Sequence, residues 1–201
     1  MDKVKEIFEQ LSAEFTEVGM DGKVYPSCKW KPQTCNIKKA LCVPYIDARQ
    51  VSDRLNNVLG VDGWESTIEE TSNNALIYNL SINIDGKVIS KADMGDEQAY
   101  GGEKAKASDG LKRAAVLFGV GKYLYQMEPV SLNTAKGSNG KYVPATNDGN
   151  PLEDFGELSS YINMMHPLRS KLVEIYKSLS SEQKNVHEEH FKLLWETLSA
   201  A

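Results

Sequence analysis

Apolar residues recur every three or four positions in several parts of the chain, and this spacing predicts amphipathic helices. The first such stretch covers residues 2–17. A second helix should begin after Asp47, whose side chain can accept from the free N–H groups of a first turn, and should run to about Leu59. Residues 152–201 have helical spacing throughout, with Pro167 placed to start a helix there. The pattern therefore predicts helices at both ends of the chain and one in its first half.

The stretch from Glu103 to Tyr125 combines a helical apolar stripe with a basic surface. Ser108 or Asp109 could cap this helix, and Gly119 could end it, because glycine adopts a positive φ without a Cβ clash. The stripe consists of Leu111, Ala114, Ala115 and Phe118. Basic residues, a helix N-terminus and nearby tyrosines would suit a phosphate backbone with unstacked bases. A helix with an ordinary solvated Lys/Arg face would have the same spacing, so both interpretations stay open at this point.

Between these helices the apolar positions alternate, which is typical of half-buried β-strands. The alternating stretches are residues 64–70, 75–84 and 87–93. Asp85 and Gly86 give a two-residue hairpin signal between the second and the third stretch. The order of elements predicts an α+β fold in which an antiparallel three-stranded β-sheet is flanked by helices, an α-β-β-β-α core with a helical C-terminal extension.

The pattern divides the chain into four consecutive segments. An N-terminal amphipathic helix occupies residues 1–22, and the core domain follows at residues 23–128. Residues 129–151 hold several glycines and asparagines and few apolar residues, so we expect a flexible loop. Residues 152–201 form the helical C-terminal extension.

The composition is that of a soluble globular protein, with 201 residues, 41% hydrophobic and 25% charged. No apolar run approaches the roughly 20 residues that a membrane helix needs, and acidic residues interrupt the N-terminus where a signal peptide would be apolar. We therefore expect a cytoplasmic protein without membrane contact. The formal net charge is −5, but the acidic excess lies in residues 1–22 and 150–201, whereas residues 23–125 carry a small basic excess. This distribution suits a middle domain that meets an anion.

The sequence lacks the common patterns of catalytic and metal sites. The three cysteines are seven residues apart, which is not the spacing of a zinc knuckle, and His187 and His190 have no evident third ligand. Residues 119–122 resemble part of a nucleotide-binding loop, but the first glycine of that pattern is absent and a tyrosine follows the lysine. We therefore expect a non-catalytic protein, not an enzyme, without a cofactor or a bound metal.

Two stretches together resemble the Rad52 family of single-strand annealing proteins. The first, Tyr45 to Trp64, resembles the helix that opens the core of that family, with a frame of Tyr45-Ile46, Val51, Gly60, Gly63 and Trp64. The second, Glu103 to Gly119, resembles the central helix of the family in its Glu-Lys-Ala opening and in Asp109-Gly110-Leu111-Lys112-Arg113-Ala114. The ending GVGKYLY is most similar to the short, phage-type (Sak-like) branch. The resemblance covers roughly residues 40–127.

The resemblance implies a homo-oligomer, in a ring or a filament, whose core at residues 23–128 is a single-strand annealing domain. Such proteins bind single-stranded DNA in a basic groove and anneal complementary strands without ATP, in homologous recombination and DNA repair. The implied protein is a phage or prophage recombinase that acts in the cytoplasm of a bacterial host. A single-strand-binding protein or an exonuclease is a further candidate partner.

The family holds the phosphodiester chain with a Lys-Arg pair of its central helix, and the matching residues here are Lys112 and Arg113. We expect these two side chains to be the main DNA contacts. Basic and aromatic neighbours are supporting candidates: Arg49, Arg54, Lys104, Lys106, Lys122, Tyr123 and Tyr125. Trp30, between Lys29 and Lys31, could stack on a base or pack into its own core.

Three other functions stay open on the sequence alone. A double-stranded-RNA-binding module also has three antiparallel strands and a helix that opens with lysines. A metal-dependent nuclease would use Asp93, Asp96 and Glu97 as ligands. An oligomeric scaffold would use the basic helix only to bind acidic neighbours.

Overall fold

The computed structural model describes residues 3–18, 24–71, 76–95, 102–184, 187–189 and 191–192. The helices are α1 (Lys3–Ser12), α2 (Ala48–Leu59), α3 (Gly102–Val116) and α4 (Phe155–Ser178), with a 3-10 helix at Lys122–Gln126. The strands are β1 (Thr16–Val18), β2 (Val24–Pro26), β3 (Lys29–Cys35), β4 (Ala40–Tyr45), β5 (Trp64–Glu70), β6 (Leu76–Ile84), β7 (Lys87–Gly95), β8 (Val130–Lys136) and β9 (Tyr142–Ala145).

The chain forms two compact units, and neither is one continuous segment. The first unit consists of Met1–Glu14 and Ile46–Gln126, and the second consists of Phe15–Tyr45 and Met127–Ala201. The first unit therefore contains α1, α2, α3, the 3-10 helix and the strands β5 to β7. The second contains α4 and the remaining strands. The boundaries of the four consecutive segments stay a prediction, and the flexible loop predicted for the third segment is corrected below.

In the first unit, an antiparallel sheet with the strand order β5-β6-β7 carries α3 on one face. Alternate residues of β6 are buried from Leu76 to Ile84, because they point toward the helix side of the sheet. Asp85 and Gly86 both have positive φ and make the tight turn into β7. The predicted α+β class and the order α-β-β-β-α are confirmed.

The two helices that precede this sheet were predicted with different success. Asp47 caps α2 as expected: its carboxylate accepts from the Gln50 N–H at 2.9 Å, and the Gln50 side chain accepts from the Asp47 N–H at 3.1 Å. This reciprocal capping box fixes the start of the helix, and Gly60, with a φ of 82°, follows its end. By contrast, α1 ends at Ser12 and not at the predicted residue 17, because the chain continues as strand β1.

The second unit has its own four-stranded antiparallel sheet, in the order β3-β4-β8-β9, with α4 packed against β3. Trp30 is fully buried in this unit. Its indole N–H donates to Asn163 Oδ1 at 2.8 Å, and its backbone N–H donates to Ser159 Oγ at 2.8 Å. The Asn163 amide in turn donates to the Cys28 carbonyl at 2.9 Å. Trp30 is therefore a core residue, and the prediction that left base stacking open for it is resolved in favour of packing.

The prediction of a flexible loop at residues 129–151 is wrong, because this stretch contains β8 and β9. Val130 and Leu132 are buried where β8 pairs with β4. The turn between β8 and β9 is also tied down. Ser138 donates to the Glu153 carboxylate from its backbone N–H at 2.8 Å and from its hydroxyl at 2.7 Å, and these hydrogen bonds lower the pKa of Glu153.

The C-terminal helix begins close to residue 152, the predicted start of the helical extension, and not at Pro167. The Asp154 carboxylate accepts from the N–H groups of Gly156 at 2.7 Å and Glu157 at 3.0 Å, so α4 starts at Phe155 and Pro167 lies inside it. Among the helices in the described ranges, none combines the length and the apolar character needed to cross a membrane.

Candidate nucleic-acid interface

Two glycines let α3 lie directly on its sheet. A Cβ atom on Gly95 of β7 would lie 2.2 Å from the carbonyl oxygen of Lys106, and one on Gly110 of α3 would lie 2.8 Å from the Tyr78 Cβ. Such distances are far below van der Waals contact, so any side chain at either position would push the helix away from the strands. The buried stripe of the helix is Gly110, Leu111, Ala114 and Ala115. Close packing of this stripe leaves the charged residues of α3 on the remaining faces.

The basic helix starts nearly two turns earlier than either predicted cap. It begins at Gly102, so Ser108 and Asp109 lie inside it and do not cap it. The reason is local, because the Glu-Lys-Ala-Lys-Ala sequence forms helix well and Glu103 in the first turn complements the helix dipole. Lys106 Nζ also lies 3.2 Å from the Glu103 carboxylate, and its side chain is only 12% exposed. Lys106 is therefore already paired within the helix.

The expected main contacts, Lys112 and Arg113, each form an ion pair inside the first unit. Lys112 Nζ lies 3.3 Å from Asp109 Oδ1, one turn earlier in α3. Arg113 Nε donates to Asp93 Oδ1 of β7 at 3.2 Å. The side chains are 26% exposed for Lys112 and 39% exposed for Arg113, so both cations reach solvent while a carboxylate holds them in position.

Arg54 supports the fold. Its Nη1 lies 2.9 Å from the carbonyl oxygen of Gln10 and 2.6 Å from that of Ala13. It is also 3.3 Å from the Leu11 oxygen, and Nη2 lies 3.3 Å from the Glu14 oxygen. The guanidinium thus caps the C-terminus of α1 from α2, where unsatisfied carbonyls attract a cation. Burial of the group lowers its pKa.

Two other expected contacts, Arg49 on α2 and Lys104 on α3, are exposed. Within the part of the chain that the structure describes, neither belongs to an ion pair. Both side chains are therefore accessible to an anionic ligand.

The segment after α3 presents the remaining candidates. Gly119, with a φ of 97°, ends the helical region as predicted, and the 3-10 helix follows. Lys122 is exposed, and Tyr125 is 75% exposed, which makes its ring accessible for stacking. Tyr123 is half-buried and interacts electrostatically with Arg54.

Lys91, which was not among the predicted site residues, stabilises the end of the central helix. Its Nζ donates to the Leu117 carbonyl and lies 4.7 Å from the ring centroid of Phe118 and 5.6 Å from that of Phe8. The alternation along β7 puts this lysine on the helix side of the sheet, and this alternation can be read from the sequence. A cation at a helix C-terminus and over an aromatic face is favourable on both counts.

The second unit has its own basic and aromatic group, in which Tyr45, not predicted from the sequence, joins the two lysines that flank Trp30. Lys31 is exposed, and its Nζ lies 5.5 Å from the ring centroid of Tyr45. Lys29 is the cross-strand partner of Tyr45 in the pairing of β3 with β4. Because Trp30 points into the core, its two neighbours lie on the opposite face of the sheet, as the alternation Lys-Trp-Lys would have indicated.

Three acidic residues, Asp93, Asp96 and Glu97, were considered as metal ligands of a nuclease. Asp93 accepts from Arg113, as described above. Asp96 and Glu97 lie outside the described residues. Among those that are described, no three His, Cys, Asp or Glu side chains are grouped so that they could hold a metal ion.

The basic and aromatic candidates described above offer ammonium and guanidinium groups for phosphate oxygens, and Tyr125 offers an exposed ring for a base. Contacts to phosphates position a nucleic acid without reading its sequence. Stacking is equally tolerant, because every base has a π-face. The arrangement therefore suits binding of the sugar-phosphate backbone of a nucleic-acid strand without regard to its base sequence.

Comparisons with known proteins bear on the same region. The sequence model of the Rad52/22 family of double-strand break repair proteins matches residues 17–141. The single-stranded DNA-binding protein DdrA of Deinococcus deserti is 40% identical over 114 residues, which are 53% of this chain and 55% of that protein. DdrA of Deinococcus radiodurans is 36% identical over 102 residues, 49% of this chain and 48% of the relative. The chain spans about half the length of these relatives. No solved structure matches.

Proposed function

Because the chain belongs to the Rad52/22 family of double-strand break repair proteins, we propose that it binds single-stranded DNA and anneals complementary strands without ATP. The observation that carries this proposal is the Lys112–Arg113 pair, which is partly exposed on a helix within the matched region. The related DdrA proteins are named for single-stranded DNA binding, which supports the same ligand here.

In this proposal Lys112 and Arg113 contact the phosphodiester backbone. Arg49, Lys104 and Lys122 add positive charge, and the exposed ring of Tyr125 stacks on a base. Arginine suits this role because its planar guanidinium can bind two phosphate oxygens at once. The binding is led by charge and tolerates any sequence, which a protein that pairs arbitrary complementary strands requires.

The second unit adds a further DNA contact through Lys29, Lys31 and Tyr45. An ammonium group beside an accessible aromatic ring is the combination with which single-strand-binding surfaces hold a phosphate and a neighbouring base, and the Tyr45 ring is partly exposed. Each unit is therefore proposed to contribute one basic and aromatic patch.

We also retain, as proposals from the family resemblance, a homo-oligomer in a ring or a filament, a phage or prophage origin and a cytoplasmic site of action. We likewise propose a role in recombination with a single-strand-binding protein or an exonuclease as a partner. Annealing by a homo-oligomer would bring several basic patches to one strand, which raises its effective affinity.

The test is the annealing of two labelled complementary oligonucleotides without ATP, at low and moderate salt. We expect wild type to accelerate annealing, and the Lys112→Ala/Arg113→Ala variant to bind single-stranded DNA about tenfold more weakly or worse, because two charged contacts are lost. The matched control is Lys38→Ala/Lys39→Ala, which removes an adjacent, exposed basic pair from the turn between β3 and β4.

The control should bind and anneal like wild type, and circular dichroism should show that both variants are folded. If wild type neither binds nor anneals, the proposal fails. If both double variants lose DNA binding to the same extent, the net charge of the protein governs binding, and the position of Lys112 and Arg113 on α3 does not. Tighter binding to duplex RNA than to single-stranded DNA would favour the RNA-binding alternative.

A further inference from the structure

The proposed phosphate contacts on α3 have built-in counter-charges. Lys112 is paired with Asp109 at 3.3 Å, and Arg113 is paired with Asp93 at 3.2 Å. Two positive and two negative charges therefore lie together, so their combined attraction for a phosphate at a distance is small.

In both pairs the carboxylate is the deeper partner. The Asp109 side chain is 15% exposed against 26% for Lys112, and that of Asp93 is 30% exposed against 39% for Arg113. A strand that arrives from solvent would therefore find a larger exposed fraction of each cationic side chain than of its carboxylate partner. The carboxylates can then stay in place while DNA binds, and their charge continues to act on the bound phosphates.

Resting on the proposed binding of single-stranded DNA, we propose that Asp93 and Asp109 set the strength of that binding by partly cancelling the charge of Arg113 and Lys112. A weakened phosphate contact releases a strand more quickly, so a strand that fails to pair can be exchanged for another. The two aspartates are positioning and tuning residues behind the contact, and they do not touch DNA.

Replacement of either aspartate by asparagine removes the negative charge but keeps the cation in position, because the asparagine Oδ1 can still accept from Arg113 Nε or Lys112 Nζ. We expect Asp93→Asn and Asp109→Asn each to bind a labelled oligothymidylate about fivefold more tightly at low salt and to release it more slowly, since a nearby negative charge is removed. At high salt the gain should shrink, because screening weakens the charge effect. Asp93→Ala, which also removes the acceptor, should gain less than Asp93→Asn.

The matched control is Asp62→Asn, which removes the same charge from the exposed turn after α2 and should change the affinity less than about twofold at moderate salt. A second control combines Asp93→Asn with Arg113→Ala, where the gain should disappear because the two residues act on each other. Damage to the fold would weaken binding, so a gain in affinity cannot arise from misfolding.

The outcomes separate this inference from the proposed function. If wild type binds and the asparagine variants bind equally or more weakly, the tuning role is overturned and the proposed function stands. A gain of equal size in Asp62→Asn would also overturn it, because position would then not matter. If wild type does not bind single-stranded DNA, both proposals fall.

Discussion

The guanidinium of Arg54 holds four backbone carbonyls at the end of α1, among them those of Gln10 and Ala13. These carbonyls have no partner within the helix, and a charged donor satisfies several of them at once. Lysine could not replace it, since an ammonium has three donors on one atom and lacks the width of the arginine fork.

We therefore expect Arg54→Ala to lower the free energy of unfolding by about 2 kcal/mol, because charge-assisted hydrogen bonds at a helix end are lost. Arg54→Lys should recover only part of this. Urea unfolding followed by circular dichroism measures both, with Arg49→Ala on the exposed face of the same helix as the control, for which we expect a change within about 0.5 kcal/mol. Equal stability of the two alanine variants would contradict the capping role.

At the level of elements, the docking of α3 depends on the absence of a side chain at Gly95. The nearest atom to a new Cβ would be the Lys106 carbonyl oxygen, which belongs to the helix backbone and cannot rotate away. At Gly110 the obstacle is the Tyr78 Cβ at 2.8 Å, a milder conflict, and alanine would also improve the helix propensity there.

Gly95→Ala should consequently destabilise the protein by about 3 kcal/mol, through overpacking, and Gly110→Ala by clearly less. Because α3 must shift in Gly95→Ala, the variant should also bind single-stranded DNA more weakly where it is still folded. Thermal and urea unfolding give the stabilities, and Gly140→Ala, in open space but with a φ of 74°, measures the cost of a left-handed backbone alone. A Gly95→Ala protein as stable as Gly140→Ala would show that the helix does not need this close approach.

The elements that could be predicted from the sequence depend on neighbouring residues. The Asp47 cap, the Asp85-Gly86 turn and the alternation of β6 are each specified within a few positions of the chain. Strand β8 could not be predicted in this way, because it has few apolar residues and pairs with β4, which is distant in sequence. The early start of α3 was not predicted, because Ser108 has a side chain that suits a helix cap, whereas the helix propensity of the residues before it extends the helix to Gly102.

The candidate site was predictable to a similar extent. Lys112 and Arg113 could be singled out from their motif, but their ion pair partners differ in origin: Asp109 is one turn away, whereas Asp93 comes from another element. The role of Arg54 depends on α1, and the burial of Trp30 depends on Asn163 in α4. A side chain's partner across the fold is not encoded in its neighbours, so the sequence identified which residues are basic but not which of them are already engaged.

The chain as a whole carries a net charge of −5, a sign that would repel DNA. Its acidic excess, however, lies in residues 1–22 and 150–201, whereas residues 23–125 carry a small basic excess. The proposed patches are local, and at physiological salt a charge acts over a Debye length of about 8 Å. A negative charge therefore weakens the attraction of Lys112 and Arg113 for a bound strand chiefly when it lies within about that distance of them. The proposed counter-charges meet this condition, because Asp93 lies 3.2 Å from Arg113 and Asp109 lies 3.3 Å from Lys112.

The dependence of DNA affinity on salt follows from this local picture. Each phosphate neutralised on a single strand should contribute about −0.7 to the slope of log Kobs against log salt concentration, because counterions are released. Lys112→Ala/Arg113→Ala should make the slope shallower by about 1.4, for two lost contacts, whereas Lys38→Ala/Lys39→Ala should leave it unchanged. Fluorescence anisotropy of a labelled oligothymidylate, titrated between low and physiological salt, measures all three slopes. Equal slopes for wild type and the α3 variant would mean that these two side chains do not contact phosphates, even if the affinity had changed.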